Sequence, residues 1–350
     1  MTTQPVLQPE HKSPSPTQTA FDQLRRELEN CIIGQQTLVE HLLIALLADG
    51  HLLVEGAPGL AKTTAVKELA RRIEGDFHRL QFTPDLLPGD LTGPEIYRPQ
   101  TGGFEFQQGP IFHNLILADE INRAPAKVQS ALLEAMGERQ ITVGQITYTL
   151  PRLFLVMATQ NPIEQEGTYP LPEAQLDRFM FNVVVGYPSR EDEVEILRRT
   201  TQVVTEDLPE IMSGEEILRC QALVRRVPIA DDMLQYAAEL VRSTRPDQEN
   251  VPGFVRENLK WGAGPRAGQY LVLGAKTRAV IRGRFHVSME DIQRVARPVL
   301  RHRILTNYSA QAEGIQADDI IDRLLDTVPL HPTQNVNDGG LPEVVGSTDH

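Results

Sequence analysis

His51-Leu-Leu-Val-Glu55-Gly56-Ala-Pro58-Gly59-Leu60-Ala61-Lys62-Thr63-Thr64 is the stretch on which the fold turns. His51–Glu55 reads as a buried strand, and Thr63–Ile73 as a helix with Ala65, Val66, Leu69, Ala70 and Ile73 on one stripe. A strand, a glycine-rich turn and a helix in succession suit a polyphosphate. Glycines let backbone N–H groups approach the anion, and the helix aims its positive dipole end at it. The loop resembles the pattern GxxxxGK[ST], with Ala61 where the second glycine would stand. In that pattern Lys62 brings a point charge to the β- and γ-phosphates and Thr63 a hydroxyl to Mg2+. A glycine-rich turn without a ligand is the competing reading, and Ala61 counts in its favour.

Working outward, Phe77–Phe82, Leu115–Ala118, Leu153–Ala158 and Phe181–Val185 also read as buried strands, and Lys127–Met136 as a helix. Strands alternating with helices imply crossover units and a mainly parallel sheet. The texture changes at Tyr187-Pro188, after which no strand is expected. Ser189-Arg-Glu-Asp192, Ser213-Gly-Glu-Glu216 and Ser288-Met-Glu-Asp291 each have the spacing of a capping box before an apolar periodic run. The second half reads as a helical domain.

Three further strings bear on chemistry. Leu115-Ile-Leu-Ala-Asp119-Glu120 is an apolar strand ending in two acids; one could hold a Mg2+ hydration shell and the other deprotonate a water. Alone, it could equally be a strand surfacing in acids. Thr159-Gln160-Asn161-Pro162 ends another apolar strand, where an amide could meet a phosphate or simply cap a turn. Arg178, in Leu176-Asp177-Arg178-Phe179, is by itself an ordinary surface arginine.

Taken in order, these strings resemble the AAA+ ATPases. More narrowly, Ala158 to Phe179, Asp119-Glu-Ile-Asn-Arg-Ala124, Gly264-Pro-Arg266-Ala267 and Pro298-Val-Leu-Arg-His-Arg303 are similar to the MoxR family, whose phosphate loop commonly carries Ala-Lys-Thr. The similarity covers roughly residues 20–325. It implies an α/β P-loop core with a mainly parallel sheet and helices on both faces, followed by an all-α lid. It also implies ATP and Mg2+ as cofactors. ATP would meet Ile33, Gly34, Gly56, Pro58, Gly59, Leu60, Ala61, Lys62, Thr63 and Thr64, with Thr63 and Asp119 on the metal. Glu120 matches the general base, Asn161 the γ-phosphate sensor, Arg178 the finger inserted into a neighbour's site, and Arg266 the second sensor on the lid. The family assembles as a ring, usually a hexamer, and is associated with maturation of protein clients, often beside proteins with von Willebrand factor A domains.

The domain limits expected are a disordered lead-in over 1–19, the ATPase core over 20–187, the lid over 188–328 and a flexible tail over 329–350. Two insertions fit the same clade: Thr83–Gln108 after the second strand, and a hairpin over Arg139–Leu150 turning at Gly144-Gln145. Arg245 to Gly264, with Phe254 and Trp261, reads as a packing loop.

Composition narrows the rest. The 350 residues suggest two domains at roughly 150 each. With 34 basic against 47 acidic residues the net charge is −13, and Ile141–Tyr148 holds no Lys or Arg, both of which argue against a nucleic-acid track. Cys31 and Cys220, without metal-site spacing, read as buried free thiols in a reducing compartment. The longest apolar run, Leu42–Ala48, is far short of the ~18 residues of a membrane span. No secretory signal is read at the N-terminus, so the expected location is the cytoplasm. The expected function is a Mg2+-dependent ring ATPase that remodels a protein client. A nucleotide-gated scaffold with little turnover is the main alternative, and a DNA-translocating ATPase a weaker one.

Overall fold

The computed structural model describes residues 16–57, 59–100, 102–162, 167–201 and 210–329. The chain runs α1 (Pro16–Cys31), α2 (Gln36–Ala48), β1 (Leu52–Gly56), α3 (Lys62–Arg72), β2 (Phe77–Gln81), α4 (Pro88–Thr92), β3 (Glu95–Arg98) and β4 (Gly103–Phe106). It continues through β5 (Leu115–Asp119), α5 (Ala126–Glu138), β6 (Gln140–Val143), β7 (Ile146–Thr149), β8 (Leu155–Gln160), α6 (Glu173–Leu176) and β9 (Phe181–Val185). The second half comprises α7 (Arg190–Thr200), α8 (Gly214–Arg226), α9 (Asp231–Arg242), α10 (Gly253–Asn258), β10 (Leu259–Trp261) and α11 (Pro265–Ile281). Last come α12 (Met289–Leu300), β11 (Leu305–Thr306), α13 (Tyr308–Ala312) and α14 (Ala317–Thr327).

Residues 16–19 were expected in the loose lead-in but belong to α1. Proline is favoured at a first helical position, and Phe21, Leu24 and Leu28 bury one stripe that anchors the helix. The rest of the expected lead-in and residues 330–350 of the expected tail lie outside the described residues.

The five-stranded sheet has the order β2-β5-β8-β1-β9, every pair parallel. Side chains alternate across it with period two. Leu52, Val54, Leu115, Leu117, Leu155 and Met157 face one core with α2, α3 and the helices of the second half. Leu53, Ile116, Ala118, Val156 and Ala158 face another, closed by Val128, Leu132 and Met136 of α5. Helices thus cover both faces. β2 departs from the expected burial: it lies at an edge of the sheet with its residues half-buried or exposed, whereas the opposite edge strand β9 is largely buried beneath α2 and α12.

The caps read from the sequence are formed. Ser189, Ser213 and Ser288 accept from the backbone N–H of Asp192, Glu216 and Asp291 and start α7, α8 and α12. The second half is helical with one correction: Leu259 pairs antiparallel with Thr306, and Trp261 with Leu305, in a two-stranded ribbon. Strands of two or three residues leave no periodicity to read. For the same reason the supposed packing loop 245–264 proves to contain α10 and β10. Its Phe254 ring sits 4.0 Å beneath the Arg323 guanidinium, while Trp261 is exposed.

Both insertions are hairpins, β3–β4 and β6–β7. They dock through a stack of Phe106 on Tyr148 with centroids 4.3 Å apart, closed by Phe112 against both rings. Among the described residues no helix is long and apolar enough to cross a membrane.

Candidate active site

The strand order brings the chemistry together. β1 lies beside β8, and β8 beside β5, all parallel, so their carboxyl ends open on one crevice, the usual binding edge of such sheets. β1 delivers the phosphate loop, β5 delivers Asp119 and Glu120, and Asn161 directly follows β8. They line a cavity of about 1050 Å³.

The loop leaves β1 at Gly56, where a Cβ would stand 2.6 Å from the Val185 carbonyl oxygen of β9. Gly59 has φ +83°, and Ala61, the residue before α3, has φ +58°. An L residue in that left-handed region costs roughly 1–2 kcal/mol, so the fold holds Ala61 there against its own preference. Lys62 opens α3, is largely buried and donates from Nζ to the Gly56 carbonyl at 2.7 Å. Burial lowers its pKa, and the charges of Asp119 and Glu120 pull it back up.

The two acids are clipped by one side chain. Thr159 Oγ1 donates to Asp119 Oδ1 at 2.6 Å and accepts from the Glu120 backbone N–H at 2.9 Å. Glu120 itself has φ +59°. From β2, Arg79 donates to Asp119 Oδ2 at 2.6 and 3.1 Å, and Gln81 Nε2 to Glu120 Oε2 at 2.9 Å. Arg123 reaches the same Glu120 oxygen at 2.9 Å.

Of the residues singled out in the sequence, Ile33, Gly59, Leu60, Ala61, Lys62, Thr63, Thr64, Asp119, Glu120 and Asn161 line this cavity. Gly34 and Gly56 adjoin the lining without forming part of it, and Pro58 lies outside the described residues. Arg178 and Arg266 are not brought into the cavity of their own chain. Arg178 donates to the Leu133 carbonyl of α5 at 2.8 Å, and Arg266 to Asp177 Oδ2 at 2.7 Å. The two arginines meet instead at Asp177-Arg178, where the first half touches α11.

Sequence reasoning missed the roles of Arg79, Gln81 and Thr159 beside the acids, and on the far wall Pro188, Ile196 and Arg199; Gln35, which lines the same wall, belongs to the Ile33-Gly34-Gln35 segment that the resemblance sets against the base. Gln35 donates to the Gly186 carbonyl at 2.9 Å at the end of the first half, and Arg199 of α7 donates to the Asn30 carbonyl at 2.6 Å, tying the start of the second half to α1. The thiols also need correcting: Cys220 is buried, but Cys31 is exposed at the cavity wall. Its Sγ accepts from Arg72 at 3.0 Å. Desolvation raises its pKa, against the pull of the Arg72 guanidinium.

These residues suit a nucleotide triphosphate with a hard cation. Backbone amides at a helix start and one ammonium match polyphosphate. The Thr63 hydroxyl and Asp119 carboxylate are oxygen donors of the kind Mg2+ takes. Among the described residues no group of three or more His, Cys, Asp or Glu could hold a metal by itself. A cation here would therefore take most of its ligands from phosphate and water, the habit of Mg2+.

A family model described as "ATPase family associated with various cellular activities (AAA)" matches residues 51–181, and one described as "AAA lid domain" matches 254–324. The chain is 46% identical to Chaperone MoxR1 of Mycobacterium tuberculosis over 304 residues, spanning 87% of this chain and 80% of that one. It is 30% identical to Protein MoxR of Methylorubrum extorquens, spanning 89% and 95%. A crystal structure of a Cytophaga hutchinsonii protein assigned as an ATPase superposes with a TM-score of 0.85 at 44% identity, covering 90% of this chain and 96% of that one.

Proposed function

Because the chain belongs to the MoxR family of AAA+ ATPases, we propose that it hydrolyses Mg2+·ATP at the junctions of a ring of its own copies and uses the cycle to remodel a protein client. The reading rests above all on the cavity where Lys62, Thr63, Asp119, Glu120 and Asn161 converge at the carboxyl ends of three adjacent parallel strands.

The phosphate loop binds the triphosphate, with Lys62 turning from the Gly56 carbonyl to the β- and γ-oxygens. Thr63 and Asp119 would hold Mg2+, which would neutralise charge developing on those oxygens. Asp119 must then exchange the Arg79 guanidinium for the cation. Glu120 takes the proton of the attacking water once it leaves Gln81 and Arg123. Asn161 orients the γ-phosphate. Ile33 and Gln35, with Gly34 between them, and Pro188 offer the wall for the adenine ring.

Arg178 stands away from its own cavity, as a finger serving a neighbour's site would, while Arg266, the expected second sensor on the lid, is held by Asp177 and would have to leave it to reach nucleotide. An arginine supplied in trans contributes roughly 10³–10⁵ in rate, so turnover should depend on assembly. The cytoplasm, where ATP is abundant and thiols stay reduced, is the compartment this reading implies. Association with a protein carrying a von Willebrand factor A domain belongs to the same proposal.

Calorimetric titration with Mg2+·ATP, alongside phosphate release measured across protein concentration, tests it. Uptake of ATP with turnover per subunit that rises on assembly is expected, and Glu120→Gln should keep the uptake and lose the turnover. Absence of uptake by folded protein overturns the proposal, and uptake without turnover at any concentration replaces it with a nucleotide-gated scaffold.

A further inference from the structure

The loop that carries Arg178 is held from two sides by groups of opposite kind. It joins α6 to β9, and its N–H groups are satisfied within the first half of the chain. Asp177 donates to Glu173, Arg178 to Gln175, Phe179 to Leu176 and Met180 to His51. Its four carbonyls all face the second half. Arg303 donates to the carbonyl of Asp177 at 2.8 Å, of Phe179 at 2.5 Å and of Met180 at 3.3 Å. The Tyr270 hydroxyl donates to that of Arg178 at 3.1 Å, and the His302 ring comes within 3.1 Å of that of Phe179.

The Arg303 side chain is 1% exposed, and its Nε donates to Asp177 Oδ1 at 2.8 Å, which balances the buried charge. A planar guanidinium can serve several acceptors at fixed angles, which an ammonium cannot. Nη1 is shared with the Val299 carbonyl of α12 and the His302 ring, yet a fork that reaches three carbonyls and a carboxylate of one loop fixes the path of that loop more tightly than one contact would.

We infer that Arg303 is a positioning residue for Arg178: it ties the arginine loop to the lid, so that the seating of a subunit's own lid sets the geometry of the arginine presented to the next subunit. The inference deepens the proposed function and rests on Arg178 acting in trans. It assigns Arg303 no contact with nucleotide. Its consequence is directional, because a fault at Arg303 is felt in the neighbouring site and not in the cavity of the subunit that bears it.

Mixed assemblies read that direction. The control combines Lys62→Ala subunits, which keep Arg178 but lack a working phosphate loop, with Arg178→Ala subunits, which keep the loop. Native mass spectrometry verifies mixing and thermal unfolding verifies folding. Arg303→Lys is then added to one partner at a time. Placed on the Lys62→Ala subunits, it should lower kcat about tenfold or more with the KM for ATP within about twofold, as expected of a misplaced group acting in the transition state.

Placed on the Arg178→Ala subunits, the same substitution should leave turnover within about twofold of the control, since the arginine it positions is already gone. Equal losses in both arrangements, or none in the first, overturn the inference and make Arg303 a structural residue only. A silent control overturns the trans role of Arg178, and the inference with it. Should Arg303→Lys fail to fold, Tyr270→Phe, which removes one hydrogen bond to the Arg178 carbonyl, decides in the same two arrangements.

Discussion

The Arg178 guanidinium lies over Gly137: a Cβ added at that position of α5 would overlap the Nη1 atom that donates to the Leu133 carbonyl. Glycine inside a helix costs roughly 0.5–1 kcal/mol relative to alanine, so its presence is explained by the side chain resting on it. Gly137→Ala exchanges that gain in propensity against one hydrogen bond worth about 1 kcal/mol. The expected outcome is an unfolding midpoint close to the parent with a clear loss of ATP turnover. Turnover at the parental level, in a variant whose Arg178 has been displaced, would detach that arginine from the reaction.

Thr159 offers a second separation. Thr159→Val keeps the shape but removes both the bond to Asp119 and the acceptor of the Glu120 N–H. An unsatisfied buried amide costs about 1–3 kcal/mol, here at a residue already held at φ +59°. Turnover should fall by about tenfold or more as the base loses its position, while Thr159→Ser, which keeps the hydroxyl, should fall far less. Phosphate release from the two variants, compared at equal ATP occupancy, checks this.

Acid sensitivity is expected at Asp291, whose side chain is fully buried between Arg278 and Arg284, with bonds of 2.6 and 2.5 Å. Burial alone would raise its pKa, but hydrogen bonds from Arg284, Ser288 and Arg278 prevail and hold it down to about 2. A carboxyl depressed on folding stabilises fully above its unfolded value, near 3.9, and that stability is lost as the pH falls toward the folded value. Breaking a buried pair costs about 3–5 kcal/mol. Urea unfolding should show Asp291→Asn strongly destabilised at pH 6, with the gap to the parent narrowed by about 1 kcal/mol at pH 3, where roughly half of the linkage is lost. A gap independent of pH would contradict the ion-pair origin.

The exposed thiol reports occupancy of the cavity. Cys31 lies on the cavity wall with a raised pKa, so alkylation near neutral pH should be slow for a surface cysteine. Mg2+·ATP should slow it further, while buried Cys220 stays unmodified in the folded protein. Peptide mass spectrometry over a time course distinguishes the sites. Equal labelling of Cys31 with and without nucleotide would remove that wall from the binding site.

What could be read ahead of the structure was whatever chemistry lies within a short stretch of chain. The phosphate loop, the paired acids, Asn161 and the three serine caps each declare themselves in a few consecutive residues, and the structure brings the first three to one cavity. Arg79 and Gln81 could not be read this way. They reach Asp119 and Glu120 only because β2 pairs with β5 in a register that sets Gln81 opposite Asp119. Thr159 looked like one letter of a longer string until β8 came to lie beside β5. Arg303 bonds to a loop more than a hundred residues earlier in the chain, a relation that hydrophobic period and capping rules do not encode. Arg266 matched its string, but its salt bridge to Asp177 carries it away from the cavity of its own chain.

Phe106 and Tyr148 belong to different hairpins yet share one aromatic stack, so a load taken up at the exposed Phe104 passes to the second insertion as far as a contact of about 0.5–1.5 kcal/mol can carry it. The braced pair is built as one outrigger. Its anchor is α5, which starts six residues after Glu120 and runs into β6 through Arg139. A small tilt at that anchor would be passed to both hairpins through the stack before it reached their tips.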